Sequence, residues 1–326
     1  MTSAGAGPPV MVLGVSRSGT TLLKEMLDRH SSLAIPSESY FIPQLWSRHG
    51  ARPVVDRMLD DLGRLERIRQ WGIEPDAVRE RIGTTSTFAE VIRAVYEVYA
   101  EARGKARYGD KTPAYMRHLR LLDHVFPQAS YVHIVRDGRD AGRSFLSMQR
   151  RPPLDWSRPR GLSAFACQWR DEVERARLFG RAHAAGRYLE LRYEDVVAEP
   201  GGALRSVCAQ LELEYEPEML TYHERIDEER LLDHPRLSQP PTPRVRSWRE
   251  ELPAAQVERF EAVAGELLSE LGYERAYPSP TARARARALI CRRWLSARQI
   301  SWRAGLSLVR RTPLWRARQV YIRRSS

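Results

Sequence analysis

The apolar and polar positions fall into two alternating kinds of segment. "PPVMVLGV", residues 8–15, is a short apolar run ending at glycine and predicts a buried strand. In the following "TTLLKEMLDRH", Leu22, Leu23, Met26 and Leu27 recur at helical spacing on one face. "SYVHIVRD" (130–137) predicts a second buried strand, with a helix from Asp140 to about Gln149. "RYLELRYEDV" (187–196) predicts a third, with a helix near 200–211, and "ARYGDKTP" (106–113) a shorter strand ending at a turn. Helical patterns fill 86–102, 115–124, 162–184 and 254–271. Strands alternating with helices predict a three-layer α/β fold around a central parallel sheet. Ligands of such sheets bind beyond the carboxyl ends of the strands, so the residues just after each strand are the ones to inspect.

Composition changes this picture in two places. The chain of 326 residues has a net charge of +12, yet residues 281–326 hold thirteen arginines and no acidic residue. Taking those thirteen from 53 basic residues leaves 40 against 41 acidic ones in the first 280, so the body is close to neutral. That argues against nucleic acid as the partner of the body. Lysine is scarce: only Lys24, Lys105 and Lys111, so each deserves inspection. The three cysteines, Cys167, Cys208 and Cys291, show no metal-ligand spacing, and the start MTSAGAGPP lacks the features of a signal peptide. The expectation is a reduced, cytoplasmic protein with a short disordered lead (1–9), a main domain (10–280) and a basic helical tail (281–326).

"LGVSRSGTTL" (13–22) has the glycines of a phosphate-binding P-loop, with Thr20 where the nucleotide-binding form has lysine. The glycines permit a tight turn, and amides at a helix start form an anion cradle. Arg17 adds charge, and Thr20 and Thr21 add hydroxyls. The alternative is an ordinary strand–helix turn. "RDGRDAGRS" (136–144) offers Arg136 at a strand end and Ser144 two helical turns later, either a seat for a second phosphate or a solvated helix start.

The two stretches together resemble the sulfotransferases that use 3′-phosphoadenosine 5′-phosphosulfate (PAPS). The resemblance is nearest to the branch containing tyrosylprotein sulfotransferases and bacterial relatives, and covers about residues 10–275. It implies a P-loop-like fold, PAPS as co-substrate and no metal. It implies that Arg17, Ser18, Gly19, Thr20 and Thr21 hold the 5′-phosphosulfate, that Arg136 and Ser144 hold the 3′-phosphate, and that Tyr193 lies near the cofactor. It also implies that Glu38, in "IPSESYFIP", is the base that takes the acceptor's proton. Lys111, in "YGDKTPAY", would steady charge on the transferring group together with Arg17. By composition alone, Glu38 reads better as a surface carboxylate, and Lys111 has the alternative of a surface lysine. His30 and His133 are rival bases that read as a helix cap and a packed strand residue. The family's later lysine before a tryptophan is replaced here by Arg246 and Ser247 before Trp248, at the end of a Pro-rich loop (234–248) that reads as a lid.

In the tail, Cys291, Leu295, Trp302, Leu306 and Val309 fall on one helical face amid arginines. Such a helix suits an anionic membrane surface at the inner face of the membrane, docking on the acidic stretch 212–229, or a second subunit of a homodimer. The expected acceptor is a hydroxyl-bearing small molecule, lipid or carbohydrate, favoured over protein. The rivals are a P-loop kinase or other phosphotransferase, which would need ATP and magnesium, and a non-catalytic membrane-associated binding protein.

Overall fold

The structure is a computed structural model that describes residues 7–148, 159, 161–226, 235–241, 247–291 and 293. Residues 294–326 of the tail, 242–246 of the Pro-rich stretch and Gln149 lie outside the described residues.

Among the described residues, five strands form one sheet: β1 (Val10–Leu13), β2 (Leu33–Ala34), β3 (Arg107–Asp110), β4 (Ser130–Val135) and β5 (Tyr188–Arg192). Their order is β2-β3-β1-β4-β5 and every pairing is parallel. Each return to the amino end of the sheet therefore needs a crossover, and the chain supplies it with helices. These are α1 (Thr20–Asp28), α2 (Phe41–His49), α3 (Val55–Gly63), α4 (Glu66–Gln70), α5 (Pro75–Arg79), α6 (Phe88–Glu101), α7 (Leu119–Val125), α8 (Gly138–Met148) and α9 (Leu162–His183). After β5 come α10 (Tyr193–Ala198), α11 (Pro200–Leu211), α12 (Trp248–Glu251) and α13 (Ala254–Glu270).

The chain divides into two compact units. The first, residues 1–148 and 171–249, contains the whole sheet. The alternation of a strand sorts its residues to two faces. Val10, Val12, Val132 and Ile134 turn one way, into a core with Leu23 and Leu27 of α1 and Leu204 and Val207 of α11. Met11, Tyr108, Asp110 and Tyr131 take the other face. There Tyr96 of α6 stacks on Tyr108 at 5.5 Å and Phe179 of α9 meets Tyr131 edge-on at 5.0 Å. The second unit, residues 149–170 and 250–326, packs Trp169 against Phe260 at 6.0 Å. In it the Glu261 carboxylate accepts from the amides of Ala276 and Tyr277 at 3.0 and 2.7 Å. Residues 282–291 are helical.

Two readings need correction. The third strand stops at Arg192, and Tyr193 opens α10 rather than continuing the strand. The helix read at 115–124 is two pieces: a 3₁₀ turn at Pro113–Arg117, then α7. His118 between them has φ −129° and ψ 24°, outside the helical region, so the apolar spacing runs across a break. No helix among the described residues is long and apolar enough to cross a membrane.

Candidate active site

The turn after β1 is built by two left-handed residues, Arg17 (φ 72°) and Gly19 (φ 94°). Backbone that passes through this region aims successive N–H groups into one concavity, an anion nest. Gly14 is required by crowding: a Cβ there would lie 2.6 Å from Thr20 Cγ2 and 2.8 Å from the Ile134 carbonyl. The amide of Ser18 closes the turn on Val15 O at 3.0 Å. Helix α1 starts at Thr20, and its first amides have no acceptor within the helix, so they and the helix dipole face the nest. Ser18 Oγ, in the same turn, is buried with no hydrogen-bond partner among the described residues. An orphaned buried hydroxyl costs about 1–3 kcal/mol. A ligand oxygen within reach of the hydroxyl would remove that cost.

The register of the sheet builds the second flank. Val135 of β4 pairs with Arg192 of β5, so Arg136 and Tyr193 leave the sheet side by side. The Arg136 guanidinium sits 4.4 Å from the centre of the Tyr193 ring, and its Nη1 donates to the Arg17 carbonyl at 3.3 Å. Arg17 Nε donates to Ser144 Oγ of α8 at 3.1 Å. The Tyr193 ring lies against Gly19, where a Cβ would come within 2.4 Å of it.

The start of α8 is not a solvated charged turn. Asp137, Arg139 and Asp140 are all buried. Arg139 forks onto the Asp137 carboxylate, Nε to Oδ1 at 2.9 Å and Nη2 to Oδ2 at 2.7 Å, with its guanidinium 3.7 Å from the Trp248 ring. Asp140 Oδ1 accepts from Ser247 Oγ at 2.9 Å and from the Trp248 amide at 2.8 Å. Burial pushes the Asp140 carboxyl above its usual range, and the nearby Asp137 adds to that.

The third flank joins β3 to the segment after β2. Lys111 is buried, with 4 % of its surface exposed. Its ammonium donates to Thr21 Oγ1 at 3.2 Å and forms an ion pair with Glu38 Oε1. The Glu38 side chain is half-exposed. Asp110, one residue before Lys111, is fully buried and accepts from Tyr96 Oη at 2.7 Å; burial raises its carboxyl to about 6.

Arg17, Ser18, Gly19, Thr20, Thr21, Glu38, Lys111, Arg136, Ser144 and Tyr193 thus form one connected patch. Each of its parts follows the carboxyl end of a different strand, all five strands contributing. The two histidines lie elsewhere in the bonding pattern. His30 Nε2 engages the Glu214 carbonyl at 2.9 Å, and His133, fully buried on β4, engages Tyr188 Oη at 2.6 Å. Sequence reasoning did not find Asp137, Arg139 and Asp140 as a buried set, nor the Tyr96–Asp110 contact. The only available signal was two aspartates and an arginine placed directly after an apolar strand. No cluster of three potential metal ligands occurs among the described residues.

The sulfotransferase family model matches residues 8–217, which is more than half of the chain and spans every part of this patch. The chain belongs to the sulfotransferase family. It is 28% identical over 301 residues to the nodulation protein NoeE of Sinorhizobium fredii, covering 81% of this chain and 66% of that protein. Identity is 25% to protein-tyrosine sulfotransferase 1 of Danio rerio, covering 82% and 72% of the two chains. It is also 25% to the omega-hydroxy-beta-dihydromenaquinone-9 sulfotransferase Stf3 of Mycobacterium bovis, covering 84% and 78%. Among solved structures, the sulfotransferase domain of the Synechococcus PCC 7002 olefin synthase superposes with a TM-score of 0.59 at 25% identity, covering 84% of this chain and 98% of that one. The parallel sheet with its glycine loop is accordingly the P-loop-like fold of the sulfotransferases, and the chain is a transferase of sulfate groups.

Proposed function

We propose that this sulfotransferase moves a sulfuryl group from PAPS to an acceptor hydroxyl. The observation that carries the reading is the Lys111 ammonium, which donates at once to Thr21 of the anion loop and to Glu38. A cation held between an anion seat and a carboxylate suits in-line transfer of an anionic group to a nucleophile that must lose a proton.

The residues present fit the co-substrate. The nest with its orphaned Ser18 hydroxyl suits a 5′-phosphosulfate held by Arg17, Ser18, Gly19, Thr20 and Thr21. Arg136 and Ser144 suit a 3′-phosphate. PAPS supplies the sulfuryl group. Glu38, paired with Lys111, takes the proton of the acceptor hydroxyl. The acceptor oxygen bonds to sulfur as the bond from sulfur to the phosphate oxygen breaks, and adenosine 3′,5′-bisphosphate leaves. Arg17 and Lys111 balance the charge that grows on the leaving oxygen. Thr20 occupies the position of the P-loop lysine, which leaves the ATP-dependent alternative without its γ-phosphate contact. Two relatives carry a tyrosine and an omega-hydroxy menaquinone in their names, which supports a hydroxyl acceptor here without choosing one.

The test is Glu38→Gln. It should leave the dissociation constant for adenosine 3′,5′-bisphosphate within twofold. Transfer of labelled sulfate from PAPS to a panel of phenols and alkanols should fall roughly 100-fold. Thermal stabilisation by ATP with magnesium, and none by the bisphosphate, would overturn the reading.

A further inference from the structure

Glu38 lies on a turn that is strained and lacks a local cap. Tyr40, two residues on, holds φ 59°, a left-handed backbone that an aromatic residue seldom adopts. It is the N-cap of α2, and its side chain makes no capping bond. The first amides of α2 therefore need acceptors from outside the helix. Strain of this kind persists where neighbouring contacts over-determine it.

Those contacts come from the segment that follows Lys111. Tyr115, on the 3₁₀ turn Pro113–Arg117, is 1 % exposed. Its hydroxyl accepts from the Ile42 amide at 3.4 Å and lies 3.4 Å from Ser39 Oγ. Thr112 Oγ1 accepts from the Ser39 amide at 3.3 Å. The left-handed residue is thus pinned on both sides, at Ser39 and at Ile42. Behind this, Tyr96 of α6 donates to Asp110 at the end of β3 at 2.7 Å. The segment carrying Glu38 is thus tied, through Thr112 and Tyr115, to the residues that directly follow Lys111.

We propose that Tyr115 is a positioning residue for Glu38: its hydroxyl caps α2 from a distance and holds the 38–42 turn so that the Glu38 carboxylate meets Lys111. The role rests on the reading of Glu38 as the base. Tyr115 touches neither Glu38 nor the anion loop in the contacts described, and acts through the Ser39 and Ile42 backbone.

The experiment is Tyr115→Phe, which keeps the ring and removes only the hydroxyl. Amide hydrogen exchange should rise about tenfold or more at Ile42 and stay unchanged across 14–21. With PAPS as donor and 2-naphthol and 1-dodecanol offered together, turnover should fall about tenfold while KM for PAPS holds. In a Glu38→Gln background the same change should alter turnover less than twofold, since residues acting through one another are not additive. Unchanged exchange at Ile42, or an equal loss of turnover in both backgrounds, would overturn the proposal. If Glu38→Gln itself keeps its turnover, the base assignment falls. The exchange at Ile42 still decides whether Tyr115 holds the turn.

Discussion

Replacing Gly19 with alanine tests the way the anion loop is packed, independently of any chemistry. Gly19 holds φ 94° and ψ 10°, and a Cβ built on it would lie 2.4 Å from Tyr193 Cδ2 and 2.8 Å from Cε2. Two separate costs follow. A side chain in left-handed backbone costs about 1–2 kcal/mol. Forcing a methyl against a packed ring adds about 1–3 kcal/mol. The variant should therefore lose roughly 2–5 kcal/mol of stability in urea unfolding. The displaced ring also withdraws the surface under Arg136, so affinity for adenosine 3′,5′-bisphosphate should fall as well. The decisive comparison is Gly19→Ala in a Tyr193→Ala background, where the ring is gone and only the backbone cost of about 1–2 kcal/mol should remain. If the two substitutions add, the ring does not press on Gly19 and the packing argument fails.

Arg136→Ala should weaken binding of adenosine 3′,5′-bisphosphate by roughly 2–4 kcal/mol and weaken adenosine 5′-phosphate much less, read by calorimetry; equal losses would separate Arg136 from the 3′-phosphate. Asp110 is raised by burial from 3.8 to about 6, so the folded chain holds that proton more tightly than the unfolded one. Its contribution is present below pH 3.8 and lost as pH rises to about 6, a fall of about 3 kcal/mol. Asp110→Asn should remove that slope from urea unfolding between pH 4 and 6.5, and parallel curves for the two proteins would refute it. Cys167 and Cys291 hold their sulfurs 3.8 Å apart, so diamide should give one intrachain disulfide between them in peptide mapping. Cys208, buried with its thiol pushed up to about 11, should stay unmodified, and a disulfide through Cys208 would contradict the packing.

The sheet and its ligand-facing edge were readable because the short apolar runs that stop at Gly14 and Arg136, and the shorter segment ending at Asp110, mark buried parallel strands. The missing parts have physical reasons. Strand β2 is two residues, Leu33 and Ala34, too short for any period to show. Helix α2 carries Pro43 in its first turn and opens from a left-handed tyrosine, so "SYFIPQLW" resembles a loop by composition. "LRYEDV" keeps strand-like alternation through Tyr193, but the backbone turns helical there. The site residues were named one at a time, from the two loops and the resemblance. Their joining was not readable, because the Arg17–Ser144 and Lys111–Thr21 bonds link positions 127 and 90 residues apart. The buried Asp137–Arg139–Asp140 set was hidden for the opposite reason: a run of charges reads as wet unless a tryptophan 108 residues on from Asp140 is known to cover it.

The five strand ends have a consequence for how such a chain can diversify. Each contributes its own connection to the site, and the framework beneath them is fixed by backbone pairing rather than by the loops. Residues inserted between Pro36 and Phe41 would re-aim Glu38 and its surroundings, yet leave the Arg17–Ser144 bond and the Arg136–Tyr193 stack where they are. The architecture separates inheritance from innovation. On the proposed reading, the connection that carries Glu38 can be rewritten for a new acceptor while the loop after β1 and Arg136 keep one donor, and neither change has to be invented together with the other.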